Sequence, residues 1–167
     1  MELYLLRHAI AVERGQPGYE DDSQRPLTAE GRRKMKRCTR GIKALGLSFD
    51  CIVSSPYVRA LATAGIVARE LKLHQRLKFS EHLAPDGDAM ALVKFLKRLP
   101  GSPRRLLLVG HEPCLSEFAG TLIGGQDSSS LQLKKGGLCK LTVEKFRHGR
   151  CAVLDWLLTP RQLALIR

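Results

Sequence analysis

Three short apolar runs that each end on a polar residue, each followed by a segment of helical character, constrain this chain more than any other feature. Glu2 to Leu6 stops at Arg7-His8, Cys51-Ile-Val-Ser54 stops at Ser55-Pro56, and Arg105-Leu-Leu-Leu-Val-Gly110 stops at His111. Runs this short read as buried strands rather than helices. Thr28 is placed to cap a helix in which Met35, Cys38, Ile42 and Leu45 recur at helical spacing until Gly46 stops it. Val58 to Leu73 is rich in Ala, Leu and Arg and reads as a second helix, with Arg59 in its first turn. Asp88 can cap a third, carrying Met90, Val93, Phe95, Leu96 and Leu99 and closed by Pro100-Gly101. Pro113 suits the first turn of a fourth, running to Gly124-Gly125. Strands alternating with helices predict an α/β domain with a mainly parallel sheet.

The remaining segments fit that frame. Glu13 to Pro26 has turn-forming composition and reads as a functional surface loop. His74 to Gly87 reads as irregular, and Gln126 to Lys135, with three consecutive serines, as a loop. Leu138 to Val143 and Cys151 to Leu158 read as two strands joined by the polar turn around Phe146 to Gly149, a hairpin that adds an antiparallel pair. Thr159-Pro160 opens a short final helix. No internal repeat is visible, and 167 residues make one domain spanning 1–167.

Composition excludes several classes. With 44% hydrophobic and 26% charged residues the chain is no disordered segment. No window approaches the roughly 20 apolar residues of a membrane span and no signal-peptide pattern opens the sequence, so a cytoplasmic protein without membrane association is expected. Cys38, Cys51, Cys114, Cys139 and Cys151 form neither a disulfide framework nor a zinc spacing, and no metal or cofactor is expected. A formal charge of +12 points to an anionic substrate, to nucleic acid, or only to a solvated basic face. Arg32, Arg33, Lys36, Arg37, Arg40 and Lys43 have the spacing of such a face on the first helix.

The chemistry sits at the strand ends. In an open α/β sheet ligands bind outside the carboxyl ends of the strands, so Arg7, His8, Arg59 and His111 can meet in one pocket despite their separation in sequence. Taken singly, each has a bland explanation: a solvent-facing strand end, a core histidine, part of a basic helix face, a cap. Together, two guanidinium forks and two imidazoles favour an oxyanion. Phosphate is the natural guest, because phosphoryl transfer spreads negative charge over three oxygens and needs donors around them with a nucleophile behind phosphorus. A neutral histidine can be that nucleophile.

These residues also carry a resemblance. Leu5-Leu6-Arg7-His8-Ala9, Ser54-Ser55-Pro56-Tyr57-Val58-Arg59-Ala60 with Thr63-Ala64 following, and Val109-Gly110-His111-Glu112-Pro113 resemble, in order and approximate spacing, the three signature blocks of the histidine phosphatase superfamily. Arg25-Pro26-Leu27-Thr28 with Gly31, Leu83-Ala-Pro85-Asp-Gly87-Asp88 and the lack of long insertions are similar to the short SixA-type phosphohistidine phosphatases. The resemblance implies a phosphoglycerate mutase-like three-layer α/β/α sandwich around a mostly parallel sheet. It implies His8 as phosphorylated nucleophile, Arg7 and Arg59 as phosphate clamps, and His111 as a hydrogen-bonding partner of the phosphoryl group. Many members place an acidic proton donor after the second block; here Glu81, His82, Asp86 and Asp88 fall in that region without a matching motif, and Glu81 or His82 is the candidate.

An alkoxide leaving group usually needs a general acid, whereas imidazole titrates near pH ~6.5 and departs with less help. A weak acid therefore favours protein phosphohistidine as substrate, in signal transduction, over a small phosphate ester. Other classes lack their motifs. No cysteine has an arginine six positions on, His111-Glu112-Pro113-Cys114-Leu115 lacks the second histidine of a zinc peptidase, and neither G-x-x-x-x-G-K-[ST], G-x-S-x-G nor G-x-G-x-x-G occurs. The remaining competitor is a noncatalytic module that recognises phosphoprotein or RNA through the pocket or through the basic helix from Arg32 to Lys43.

Overall fold

In the computed structural model, which describes residues 1–125, 131–147 and 149–167, the three apolar runs are strands. They are β1 (Glu2–Arg7), β2 (Cys51–Ser54) and β4 (Arg105–Gly110), joined by β3 (Leu77–Phe79), β5 (Leu138–Val143) and β6 (Ala152–Leu158). The sheet order is β3-β2-β4-β1-β5-β6. β3, β2, β4 and β1 run parallel, while β5 is antiparallel to β1 and β6 to β5. The helices are α1 (Ala29–Ala44), α2 (Val58–Glu70), α3 (Ala89–Lys97), α4 (Cys114–Gly124) and α5 (Pro160–Leu165).

Side-chain alternation builds the layers. Leu3 and Leu5 of β1, with Leu106 and Leu108 of β4, join a core containing Leu92 and Leu96 of α3 and Leu115 and Phe118 of α4. Tyr4 and Leu6, with Leu107 and Val109, face the other way onto Met35 and Ile42 of α1, Ala64 and Val67 of α2 and Leu163 of α5. A strand buried on both faces carries no polar alternation, which is why these runs are continuously apolar. The fold is therefore the three-layer α/β/α arrangement with a mostly parallel sheet. None of the described helices is long and apolar enough to cross a membrane.

Helix ends follow their local chemistry. Thr28 accepts a hydrogen bond from the Gly31 amide, and Asp88 accepts from Met90 and Ala91. Thr159 and Gln162 form a reciprocal capping box at α5. α1 ends with Gly46 at φ +69° and amide bonds from Gly46 to Lys43 and from Leu47 to Ile42. α2 stops at Glu70, three residues before the expected Leu73. Lys72 takes φ +59°, and the amides of Lys72 and Leu73 close back onto Arg69 and Ala68. This is the same terminal motif, in which a buried apolar residue just beyond the helix packs back on it; Leu73 prolongs the apolar spacing without being helical.

Three other expectations need correction. The stretch from 74 to 87 contains the edge strand β3 and two 3-10 turns, His74–Arg76 and Glu81–Leu83. β3 is only three residues long with Lys78 and Phe79 exposed, so what makes it a strand is the open edge of β2, not a pattern of its own. Pro113 sits at the N-cap, one position before α4, and the last strand begins at Ala152 rather than Cys151. The serine run at 128–130 and residue 148 of the expected turn lie outside the described residues. Arg32, Arg33, Lys36, Arg37, Arg40 and Lys43 are exposed along α1.

Two glycines let α1 lie close to its neighbours. A Cβ at Gly31 would stand 2.0 Å from the Ile10 carbonyl oxygen, and one at Gly41 would stand 1.9 Å from that of Leu163. Gly41→Ala gains roughly 1 kcal/mol of helix propensity, but it must push α5 away, an overpacking penalty of about 1–3 kcal/mol. The variant is expected to be less stable than wild type in chemical denaturation. A rise in stability would show that α1 and α5 do not approach backbone to backbone as described.

Candidate active site

Register brings the three strand ends to one place. Arg7 is paired with Gly110, and Ser54 with Val109, so β1, β4 and β2 finish side by side. The ladder runs one residue further on each side: the His8 amide donates to the Gly110 carbonyl at 3.0 Å and the Ser55 amide to that of Val109 at 2.9 Å. His8, Ser55 and His111 thus leave the sheet together. Arg59, in the first turn of α2, joins them from the helix that β2 feeds. Thr63, one turn further on, receives the Ala9 amide on its hydroxyl at 3.1 Å and donates to the Arg59 carbonyl at 2.7 Å, which ties the backbone after His8 to the base of Arg59.

Arg7, His8, Arg59 and His111 line one cleft of about 340 Å³, with Val12, Glu13, Arg14, Arg25, Pro85, Glu112 and Lys135 among its other walls. The His8 and His111 rings lie 5.0 Å apart, centroid to centroid. A larger cleft of about 950 Å³ lies at the other end of the sheet, around Met1, Glu2, Arg104 and Arg105; it collects lysines, arginines and the carboxylates of Glu2 and Glu144, but no histidine or cysteine among the described residues.

The hydrogen bonds set the state of each ring. Nδ1 of His8 lies 2.7 Å from the Ala9 carbonyl oxygen. A carbonyl only accepts, so Nδ1 carries the hydrogen and, in a neutral ring, Nε2 is left with a free lone pair. The ring is neutral because burial, followed by the positive charges of Arg59 and Arg7 against the opposing Ala9 bond, brings its pKa down to about 3. His111 is 2% exposed, and burial together with His8 and Arg59 lowers its pKa to about 2. Its Nε2 is 2.9 Å from Oγ of Ser55, while its Nδ1 is buried with no partner. Tyr57 packs edge-on against the His111 ring at 5.2 Å and lies under the Arg59 guanidinium at 5.0 Å.

Behind the arginines stands an anchor the sequence did not single out. Asp22 receives Nη2 of Arg59 at 2.8 Å, Nη2 of Arg25 at 2.8 Å and Nε of Arg14 at 2.9 Å. Burial opposes ionisation of Asp22, yet the hydrogen bonds from Arg59 and Arg25 prevail and bring its pKa down to about 2. Arg25 also donates to the Val12 carbonyl and is 8% exposed. Arg7 donates through Nη1 to the Leu133 carbonyl at 2.8 Å. Nε of both Arg7 and Arg59 is buried without a partner. Nε of Arg7, Nε of Arg59 and Nδ1 of His111, which can donate when the Ser55 hydroxyl gives its hydrogen to Nε2, are thus without partners on residues that line the same cleft as His8, an arrangement suited to an oxyanion.

The chain is similar to known proteins in keeping with this geometry. The histidine phosphatase superfamily (branch 1) matches residues 3–84. An uncharacterised protein of Picosynechococcus is 41% identical over 143 residues, covering 84% of each chain. This chain belongs to the histidine phosphatase superfamily. It is a phosphatase. Among named relatives, the phosphohistidine phosphatase SixA of Escherichia coli is 21% identical over 168 residues, covering 100% of this chain and 99% of that protein. A solved structure of the protein histidine phosphatase SixA complexed with tungstate shares the fold, with a TM-score of 0.83 at 21% identity over 98% of this chain and 99% of the other.

Of the site residues named from the sequence of this histidine phosphatase, the structure gathers Arg7, His8, Arg59 and His111 and leaves out Glu81 and His82. Those two sit on the 3-10 turn at 81–83, whose buried residue is Leu83; Glu81 is exposed and the His82 ring packs against Phe95 of α3, 6.4 Å between centroids. With Leu83 anchored in the core, it is Pro85 that reaches the cleft. Arg25, Lys135, Ser55 and Glu112 went unassigned. Arg25 and Ser55 stand in segments that carry the resemblance and Glu112 directly follows His111, but only the fold brings Arg25 and Glu112 to the cleft wall and Ser55 to His111.

The buried histidines predict how stability depends on pH. Above pH ~6.5 both rings are neutral folded or unfolded and contribute no slope. Below it the unfolded rings take up protons that the folded rings refuse until near pH 3 and 2, so stability falls with falling pH, by up to about 2.7 kcal/mol per pH unit for two such groups. His8→Asn is expected to reduce the slope between pH 6.5 and 5.5 by about half of that contribution, read from urea midpoints across that range. A slope identical to wild type would mean that His8 is protonated in the folded protein.

Proposed function

We propose that the protein hydrolyses phosphohistidine on a partner protein through a covalent phosphoryl intermediate on Nε2 of His8. The observation that carries this reading is the free lone pair of a neutral His8 set among donors without partners, Nε of Arg7, Nε of Arg59 and Nδ1 of His111. In the first half-reaction Nε2 attacks phosphorus and the leaving group departs on the opposite side, while the guanidinium groups and His111 hold the three equatorial oxygens. Water then attacks phosphorus and returns the electron pair to Nε2. His111 can donate from Nδ1 because the Ser55 hydroxyl can supply the hydrogen shared with its Nε2.

The shape of the cleft supports a phosphoryl group carried on a larger body. At about 340 Å³, with Arg7, Arg14, Arg25, Arg59 and Lys135 in its walls and only Ala11, Val12 and Pro85 apolar, it has little to grip the body of a small molecule. A net charge of +12 attracts an acidic partner. The named relative in Escherichia coli is a phosphohistidine phosphatase. Five buried free thiols suit a reducing compartment, and with it the cytoplasm and a place in phosphohistidine signalling.

Brief incubation with a phosphohistidine protein followed by alkaline quenching is expected to leave acid-labile phosphate on His8. His8→Ala should reduce hydrolysis to background with its circular dichroism spectrum unchanged. On a panel, kcat/KM for the phosphohistidine protein should exceed that for a phosphoserine peptide and small esters by about tenfold or more, consistent with easier departure of imidazole. Retained activity in His8→Ala contradicts the nucleophile, and a preference for esters contradicts the substrate.

A further inference from the structure

Two carboxyl groups line the cleft, Glu13 and Glu112, and neither has a task in the scheme above; Glu13 is exposed, whereas Glu112 is half-buried. Glu112 follows His111 directly and shares the cleft with Arg7, His8, Arg59 and His111. Its two oxygens are unlike. Oε2 accepts the Ser116 hydroxyl at 2.6 Å, and Ser116 also contacts the Pro113 carbonyl at 2.8 Å, so the carboxyl is held to the first turn of α4. Oε1 is buried and has no partner at all. A buried carboxylate oxygen without a donor is costly, by about 1–3 kcal/mol or more, whereas a carboxylic acid whose Oε1 carries the proton is a donor waiting for an acceptor. A basic cleft would be expected to form an ion pair with such a group, yet no lysine or arginine among the described residues lies within ion-pairing distance of Glu112.

The environment agrees with the protonated form. Burial raises the Glu112 pKa, against the Ser116 bond and the positive charge of Arg7 from β1, and the negative charge of Glu117 on α4 adds to the rise. The other orphaned atoms around the cleft, Nε of Arg7, Nε of Arg59 and Nδ1 of His111, are donors suited to phosphoryl oxygens. A fourth donor of a different kind is suited to the atom that leaves.

We infer that Glu112 is the proton donor to the leaving group and that it extends the activity to alkyl phosphate monoesters, whose alkoxide cannot depart unaided. The inference rests on His8 as nucleophile. As Nε2 of His8 bonds to phosphorus, the bond from phosphorus to the ester oxygen breaks, its electron pair stays on that oxygen, and the oxygen takes the proton from Oε1, which leaves Glu112 as a carboxylate and releases an alcohol. In the second half-reaction water bonds to phosphorus and passes its proton to Oε1, the pair in the phosphorus–nitrogen bond returns to Nε2, and Glu112 is again an acid. Phosphohistidine needs this help least, because the far nitrogen of its ring can already hold a proton near neutral pH. Glu112 therefore widens the substrate range rather than serving the preferred substrate.

The test compares leaving groups, with kcat/KM as the readout because it reports the first half-reaction alone. Glu112→Gln keeps the shape and removes the proton. It is expected to lower kcat/KM for an alkyl phosphate such as a phosphoserine peptide by about 100-fold, the ordinary size of general acid catalysis, while changing nitrophenyl phosphate and a phosphohistidine protein by less than about fivefold. Equal losses on all three substrates, or no loss on the alkyl ester, would overturn the assignment. Wild type supplies a second test that needs no variant: across aryl phosphates of rising leaving-group pKa, kcat/KM should vary by less than about tenfold, and a fall of several orders of magnitude would overturn it. Failure of the His8 reading is separate, since it would remove acid-labile phosphate from wild type, whereas failure of the Glu112 assignment leaves that phosphate in place.

Discussion

The hydrogen bond from Nδ1 of His8 to the carbonyl of its own neighbour, Ala9, is the interaction on which the site depends. It decides which nitrogen holds the hydrogen and so which nitrogen would bond to phosphorus in the proposed reaction. Burial among arginines keeps the ring from taking a second proton, so the same charges that would hold a phosphoryl group also keep His8 unprotonated beside it. In the proposed reaction, binding and nucleophilicity are therefore one electrostatic arrangement. Asp22 makes the arrangement tolerable by holding Arg14, Arg25 and Arg59 from behind. Without that carboxylate, several guanidinium groups in a cleft of about 340 Å³ would repel one another.

Sheet register turns this local chemistry into a site. Because Arg7 faces Gly110 and Ser54 faces Val109, residues as far apart in the chain as His8 and His111 leave the sheet at the same level. A slip of one residue in either pairing would turn every side chain of that strand to the opposite face and drive a polar junction into a core. The apolar alternation that packs Leu3 and Leu5 against one helical layer and Tyr4 and Leu6 against the other thus also sets where His8 emerges.

Much of this was legible in the sequence, and the reason is physical. Long or doubly buried elements write their own pattern, so β1, β2, β4 and β5 and the caps at Thr28, Asp88 and Thr159 could be read locally. Convergence of Arg7, His8, Arg59 and His111 followed from the rule that parallel strands present their carboxyl ends together. β3 was illegible because its pairing with β2 defines it. Leu73 misled because a buried residue that packs back on a finished helix looks like one more helical position. Glu81 and His82 were chosen for residue type and place in the chain, and the anchoring of Leu83 turns them away from the cleft. Arg25, Asp22 and Glu112 act through three-dimensional partners, and no spacing in the chain foretells an orphaned carboxyl oxygen.

The proposed chemistry turns on the protonation state of one ring, which nitrogen-15 NMR of the labelled protein reads directly. At pH 5.5 the His8 ring is predicted to be neutral, with the hydrogen on Nδ1 and the chemical shift of Nε2 that of an unprotonated nitrogen, and it should stay so as inorganic phosphate is added. A doubly protonated ring at that pH, or a hydrogen on Nε2, would contradict the account, because the nitrogen assigned to phosphorus would have no lone pair to give.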